Sequence, residues 1–195
     1  MDGIFSTAYA APTSYYKSLL QCDNRLLEIN EHFIKQTIRN RCEIATSNGI
    51  LILTVPLSQR KNNMLVNEVC ISYQNNWQRQ HIKSLETAYQ SSPFFEFYID
   101  DLKLAYQFQP KFLIDWNNSI HQLILKWLKL KIEFKHTDTY NKVYENAIDF
   151  RKNDWINFEA LNYHQVFESK LGFIGHLSIF DLIFNCGNQS LAYLK

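Results

Sequence analysis

Two arginines two residues apart, Arg39 and Arg41, stand with Lys35 and Asn40 in the run KQTIRNR at positions 35–41. If this run is extended, alternate side chains share a face about 6.8 Å apart at ~3.4 Å rise per residue, which places Arg39, Arg41 and Glu43 together. Two guanidinium groups at that spacing suit a phosphate, a diphosphate or a carboxylate, because arginine grips such anions through paired charge-assisted hydrogen bonds. The competing reading is internal: Asp23, Glu28, Glu31 and Glu43 lie close in sequence and would neutralise the same cations.

A second group of residues has the types needed for proton transfer. His81 opens a helix-like segment beside Trp77 and Tyr89, where an imidazole titrating near neutrality would serve as a general base. The competing reading makes His81 an interior residue on the side of Leu85 and Ala88. Asp181 would orient His81 or touch substrate, although its place three residues after Ser178 also fits a capping box. Cys42 projects away from Arg39 and Arg41 in an ideal strand and reads as buried filler rather than a nucleophile. His32, His121, His136, His164 and His176 show no ligand spacing, and the four cysteines contain no C-x-x-C pair, so neither a metal site nor a cofactor is expected.

The elements that must hold these groups read as follows. Residues 3–9 form a first strand, and the sequence Pro-Thr-Ser at 12–14 starts a helix over 15–21. A strand over 25–29 follows. Asn48-Gly49 marks a hairpin turn, and the apolar run at 50–55 reads as a strand covered on both faces. Beyond a polar loop at 58–63, residues 66–73 alternate like another strand. The chain then turns helical over 77–90 and 94–108. Its clearest helix covers 111–130, where Phe112, Trp116, Ile120, Leu123, Trp127 and Leu130 recur at steps of three and four. Residues 133–157 carry no clear period and read as loop with a helical turn near 143–150. A strand at 163–167 and a helix from Ser178 to about Gly187 complete the chain. The predicted fold class is α/β, a mixed sheet with a hairpin in the N-terminal half packed by helices from the C-terminal half, in one domain over 1–195.

Composition narrows the function. With 20 Lys+Arg against 19 Asp+Glu the chain has no global field to draw nucleic acid or anionic lipid. It has five glycines where average usage gives roughly 14, and no glycine-rich phosphate loop, so anions must be held by side chains and helix ends. No run of 18 apolar residues is present, which excludes a helical membrane span. Isolated cysteines and the lack of a signal-peptide pattern point to the cytoplasm.

Five blocks carry a resemblance: KQTIRNR at 35–41, LTVPL at 53–57, HIKSLETAY at 81–89 with Trp77 before it, SPFFEFY at 92–98, and LSIFDLIFN at 177–185. In this order the chain resembles the WbqC-like family of bacterial proteins. The resemblance implies a cytoplasmic bacterial protein acting in O-antigen or other surface-polysaccharide biosynthesis, in an aminoacyl (glycyl) or related acyl transfer to a sugar. It matches motif positions at Lys35, Asn40, Arg41, His81, Gln165, Ser178 and Asp181. It departs at residues 137–157, which are short and lack the Gly-Ala and Tyr-Leu-Ser-Gly pattern of the family's longer form. The first 30 residues are also similar to the opening of nucleotidylyltransferase-type α/β folds, without their histidines, which supports a sheet and no activity.

Two functions are therefore expected to compete. In one, a transferase binds a sugar nucleotide or activated acyl donor through Lys35, Arg39, Asn40, Arg41 and Gln165, with His81 and Asp181 catalytic. In the other, the same cluster recognises an anionic sugar, a nucleotide or a partner protein and changes no bond.

Overall fold

A computed structural model describes residues 1–58, 63–152 and 162–195. Four short parallel strands form the sheet, in the order β5-β2-β1-β6: β1 (Asp2–Ser6), β2 (Asn24–Glu28), β5 (Lys135–His136) and β6 (Ala147–Asp149). Ile4 and Phe5 of the central strand are fully buried, as expected for a parallel strand covered on both sides. Helix α1 (Thr13–Gln21) makes the crossover from β1 to β2, pairing Gly3 with Arg25 and Ile4 with Leu26. Strand order reverses between β1 and β6, and crevices at the carboxyl ends of such strands are where open α/β sheets place ligands.

The hairpin stands apart from this sheet. Strands β3 (Arg41–Thr46) and β4 (Gly49–Thr54) pair antiparallel with Cys42 opposite Leu53 and Thr46 opposite Gly49. The two-residue turn is thus Ser47-Asn48, and the positive φ of 109° falls on Gly49 alone. The expectation that residues 50–55 are covered on both faces is not met. Ile50, Leu51 and Ile52 are 52%, 38% and 47% exposed, because no further strand adds to β4.

Helices α2 (Trp77–Tyr89), α3 (Phe95–Ala105), α4 (Leu113–Leu128) and α6 (Ile179–Cys186) supply most of the apolar core, joined by the short α5 (Glu168–Leu171) and α7 (Ser190–Leu194). Helix α4 follows its sequence period, burying Leu113, Trp116, Ile120, Ile124 and Trp127 along one stripe. It ends at Lys129, whose left-handed φ of 55° stops the turn one residue before Leu130. Ser178 caps α6 by accepting from Phe180 N at 3.4 Å, and Gly187 closes it at φ 56°.

Three further segments differ from the sequence reading. Residues 66–73 form a 3₁₀ turn (Val66–Glu68) followed by isolated bridges, Cys70 to Phe112 and Leu57 to Ile71, rather than a strand. Within 133–152 the chain contributes β5 and β6 in place of loop and helical turn; at two and three residues these strands are too short to show a period. No strand forms over 163–167, which turns into α5. Residues 59–62 of the polar loop and 153–157 of the irregular stretch lie outside the described residues. The α/β class holds, with the hairpin beside a parallel sheet rather than inside it.

Candidate functional site

Strand β3 begins only at Arg41, and this decides the fate of the two arginines. The amides of Asn40 and Arg41 both donate to Thr37 O, at 3.3 and 3.2 Å, so residues 37–41 turn instead of extending. Arg39 therefore does not share a face with Arg41. Its side chain, 2% exposed, turns inward to Glu31: Nε donates to Oε1 at 2.9 Å and Nη2 lies 2.7 Å from the same oxygen. Nη1 donates to Thr37 Oγ1 at 3.3 Å. Arg39 is thus neutralised internally by Glu31 rather than set beside Arg41.

Arg41 has the opposite environment. It is half-buried, makes no ion pair among the described residues, and its buried Nε has no hydrogen-bond partner. Arg41 lines two hollows, as Gln36 also does. A smaller one, about 360 Å³, is walled by polar groups from Gln36, Thr37, Glu43, His176 and Ser178, with Ala10, Pro12 and Ile52. The larger, about 480 Å³, is lined by Lys35, Gln36, Asn40, Arg41 and Thr54 together with apolar residues. Asn40 is buried; its Nδ2 donates to Val55 O at 3.1 Å and its Oδ1 has no partner.

Loops that follow the carboxyl ends of β1 and β2 build this cleft, joined by Tyr9 N donating to Ile38 O at 2.8 Å. Five non-glycine residues have positive φ among the described residues, and three of them, Ala10 (41°), Gln36 (61°) and His176 (60°), line the polar hollow. Each such residue costs on the order of 1–2 kcal/mol and persists where surrounding bonds over-determine it, typically at binding sites. Here Ser178 Oγ donates to Ala10 O at 2.8 Å, Ile179 N to Ala11 O at 2.9 Å and Ser178 N to Glu43 O at 2.8 Å. The first loop, the start of α6 and the hairpin are thereby locked together.

His81, Asp181 and Gln165 lie behind these walls. His81 is 5% exposed, with Nδ1 2.9 Å from the Tyr9 hydroxyl, which also bonds Tyr106, while a second bond joins the imidazole to the Thr54 carbonyl. Burial lowers its pKa to about 4, against the raising effect of Thr54. The ring lines neither hollow; Thr54 stands between it and the larger one.

Asp181 accepts from Tyr89 Oη at 2.8 Å, Tyr163 Oη at 2.7 Å and Gln165 Nε2 at 3.0 Å, and His81 is not among its partners. Burial pushes its carboxyl up against these three donors. Tyr89 Oη in turn accepts from Ala45 N at 3.2 Å, and Gln165 clamps Ile174 through its N–H and carbonyl at 2.9 and 3.0 Å. Asp181 and Gln165 thus brace β3 and the segment leading to His176. The capping box does not form, since the Asp181 carboxylate is committed elsewhere and Ser178 N is taken by Glu43 O. Burial also pushes the Cys42 thiol up, in keeping with filler.

The cleft residues that spacing did not single out are Gln36, Thr37 and His176. His176 is half-buried, with Nδ1 3.0 Å from Ser14 Oγ, and its only sequence signal is its place two residues before a cap. Among the described residues no three His, Cys, Asp or Glu side chains are grouped to hold a metal, and no helix is long and apolar enough to cross a membrane.

No curated protein and no solved structure matches the chain. A family model described as WbqC-like protein family matches residues 8–153, a span that holds Lys35, Asn40, Arg41 and His81 but stops short of Gln165, His176 and Asp181. With three quarters of its length matched, the chain belongs to the WbqC-like protein family.

Proposed function

We propose that the protein binds the anionic part of an activated donor, a sugar nucleotide or an acyl or aminoacyl donor, at Arg41, and that this binding serves a transfer to a sugar in bacterial surface-polysaccharide (O-antigen-type) assembly in the cytoplasm. The observation that carries the reading is Arg41 itself, a cation lining two hollows with a buried Nε that has no partner among the described residues. A half-buried guanidinium with no internal acid among the described residues gains from an incoming phosphate or carboxylate. Family membership supports the pathway, and the four free cysteines support the compartment.

In this reading Lys35 and Asn40 assist Arg41, while Gln36, Thr37 and Ser178 offer a hydroxyl-rich acceptor its hydrogen bonds. The acceptor's oxygen or nitrogen attacks the donor carbon, and the bond to the leaving phosphate or thiolate breaks with its electron pair. The released proton passes to Glu43 or His176, which line the same hollow. His81, Asp181 and Gln165 act as positioning residues. The burial of His81, with Nδ1 held by the Tyr9 hydroxyl, favours one competing reading: recognition of an anionic sugar, nucleotide or partner without bond change.

Calorimetric titration with sugar nucleotides and with acyl and aminoacyl phosphates tests the proposal. Arg41→Gln is expected to weaken binding roughly ten- to hundredfold, the value of charged hydrogen bonds of about 1.5–3 kcal/mol. Unchanged affinity in that variant would refute it. Incubating any ligand that binds with candidate sugars then separates turnover from recognition alone.

A further inference from the structure

The larger hollow differs in chemistry from its polar neighbour. Beyond Lys35, Arg41 and the polar Gln36, Asn40 and Thr54, its walls are Pro56 with Phe33, Val55, Leu57, Met64 and Val69; Val55 and Val69 are fully buried, and Phe33, Leu57 and Met64 pack against the core. Water against such a surface is readily displaced by an aliphatic group, at about 25 cal/mol per Å² of apolar area. The volume, about 480 Å³, is in the range of small-molecule sites.

Two features fix the polar end of the occupant. Arg41 and Lys35 lie on this hollow, and among the described residues no Asp or Glu lines it, so the occupant carries negative charge there. Asn40 supplies the second. Because its Nδ2 donates to a carbonyl, Val55 O, the amide orientation is settled and the unpartnered atom is an acceptor, Oδ1, in a side chain 7% exposed. An orphaned buried acceptor asks for an N–H or O–H from whatever fills the site. With two cations and no carboxylate beside it among the described residues, a neutral donor is favoured; the ammonium of a free amino acid would add a further positive charge.

We infer that this hollow binds an amphiphilic acid: a carboxylate or phosphate head at Arg41, a neutral hydroxyl or amide N–H donating to Asn40 Oδ1, and an aliphatic chain against Phe33, Leu57 and Met64. This rests on the assignment of Arg41 as the anion site; the phosphate-headed form is the donor, because its phosphate can leave, and a free carboxylate is a non-reacting analogue of it. The two hollows thus divide by task, the apolar one for the chain-bearing donor and the polar one for the hydroxylated acceptor.

The test is a calorimetric series of 3-hydroxyalkanoates and their phosphate-headed analogues from four to ten carbons, with unsubstituted alkanoates, N-acetyl-leucine, leucine and inorganic diphosphate as controls. Affinity should rise about fourfold per methylene until the hollow is full. The 3-hydroxy compounds should bind several-fold tighter than the plain acids, and N-acetyl-leucine at least tenfold tighter than leucine. Leu57→Asn and, separately, Met64→Gln should flatten the chain-length dependence while leaving diphosphate affinity unchanged, with circular dichroism melts showing that both fold. A flat series in the wild type, with diphosphate bound through Arg41, overturns the amphiphile and leaves the anion site standing. A rising series insensitive to Arg41→Gln overturns the anion site instead.

Discussion

Arg39→Ala is expected to lower the unfolding free energy by about 3–5 kcal/mol, whereas Arg41→Ala changes it by less than about 0.5 kcal/mol. The two residues have the same chemistry and lie two apart, so the contrast comes from placement alone. Removing the Arg39 guanidinium strands Glu31, 5% exposed, with its nearest opposite charge gone. Burial already pushes that carboxyl up, and Arg39 is the main opposing influence. The variant also loses the bond to Thr37 Oγ1, which shapes the turn before β3. Pairing Arg39→Met with Glu31→Met should recover most of the loss, since an apolar pair needs no buried charge compensation. Urea denaturation of the four proteins measures this. Equal destabilisation by the two arginine variants would remove the basis for treating Arg41 as the cation left for a ligand.

Acidification should destabilise the fold strongly between pH 6.5 and 4, through His81 and His121. Both are buried, and burial lowers both to about pKa 4, against about 6.5 in the unfolded chain. Within that window the unfolded state binds protons that the folded state refuses. Stability is therefore complete above pH 6.5 and is lost as pH falls, by roughly 3 kcal/mol for each histidine at pH 4. His81 meets Tyr9, Tyr106 and Trp77, and His121 meets Tyr16 and Phe134, so neither has a carboxylate to stabilise its cation. Buried carboxyls such as Asp181 and Glu31 act in the opposite sense, losing stability as pH rises through their raised values. The slope of stability against pH, compared between wild type and His81→Gln or His121→Gln, isolates each imidazole. Slopes identical to wild type would show that these histidines titrate normally.

Much of the framework was legible because it depends on local periodicity and caps. Helix α4 shows its apolar stripe in the sequence, the hairpin shows its turn residues, and Ser178 and Gly187 bracket α6. Strands β5 and β6 were not legible, since two or three residues paired across more than a hundred positions leave no local trace. The site was half legible. Arg41, Asn40 and Lys35 line the cleft as their residue types suggested, but strand alternation misplaced Arg39, because a turn held by the Thr37 carbonyl is not coded by alternation. His81 and Asp181 drew notice as titratable groups, yet their environments depend on Tyr9, Tyr89 and Tyr163, distant tyrosines that become neighbours only in the fold. His176, noted in the sequence only for lacking ligand spacing, stands at the cleft wall with a left-handed backbone, which no residue type announces.

Among the described residues Arg41, unlike Arg39 and Arg151, has no internal acid and is left to an external anion. Nitrogen-15 NMR of the arginine Nε–H groups during titration with a sugar nucleotide or inorganic diphosphate measures this directly. The Arg41 resonance should move progressively and saturate with the ligand, while Arg39 and Arg151, already held by Glu31 and Asp149, stay fixed. An Arg41 signal that does not respond to any anion of the series would contradict the account.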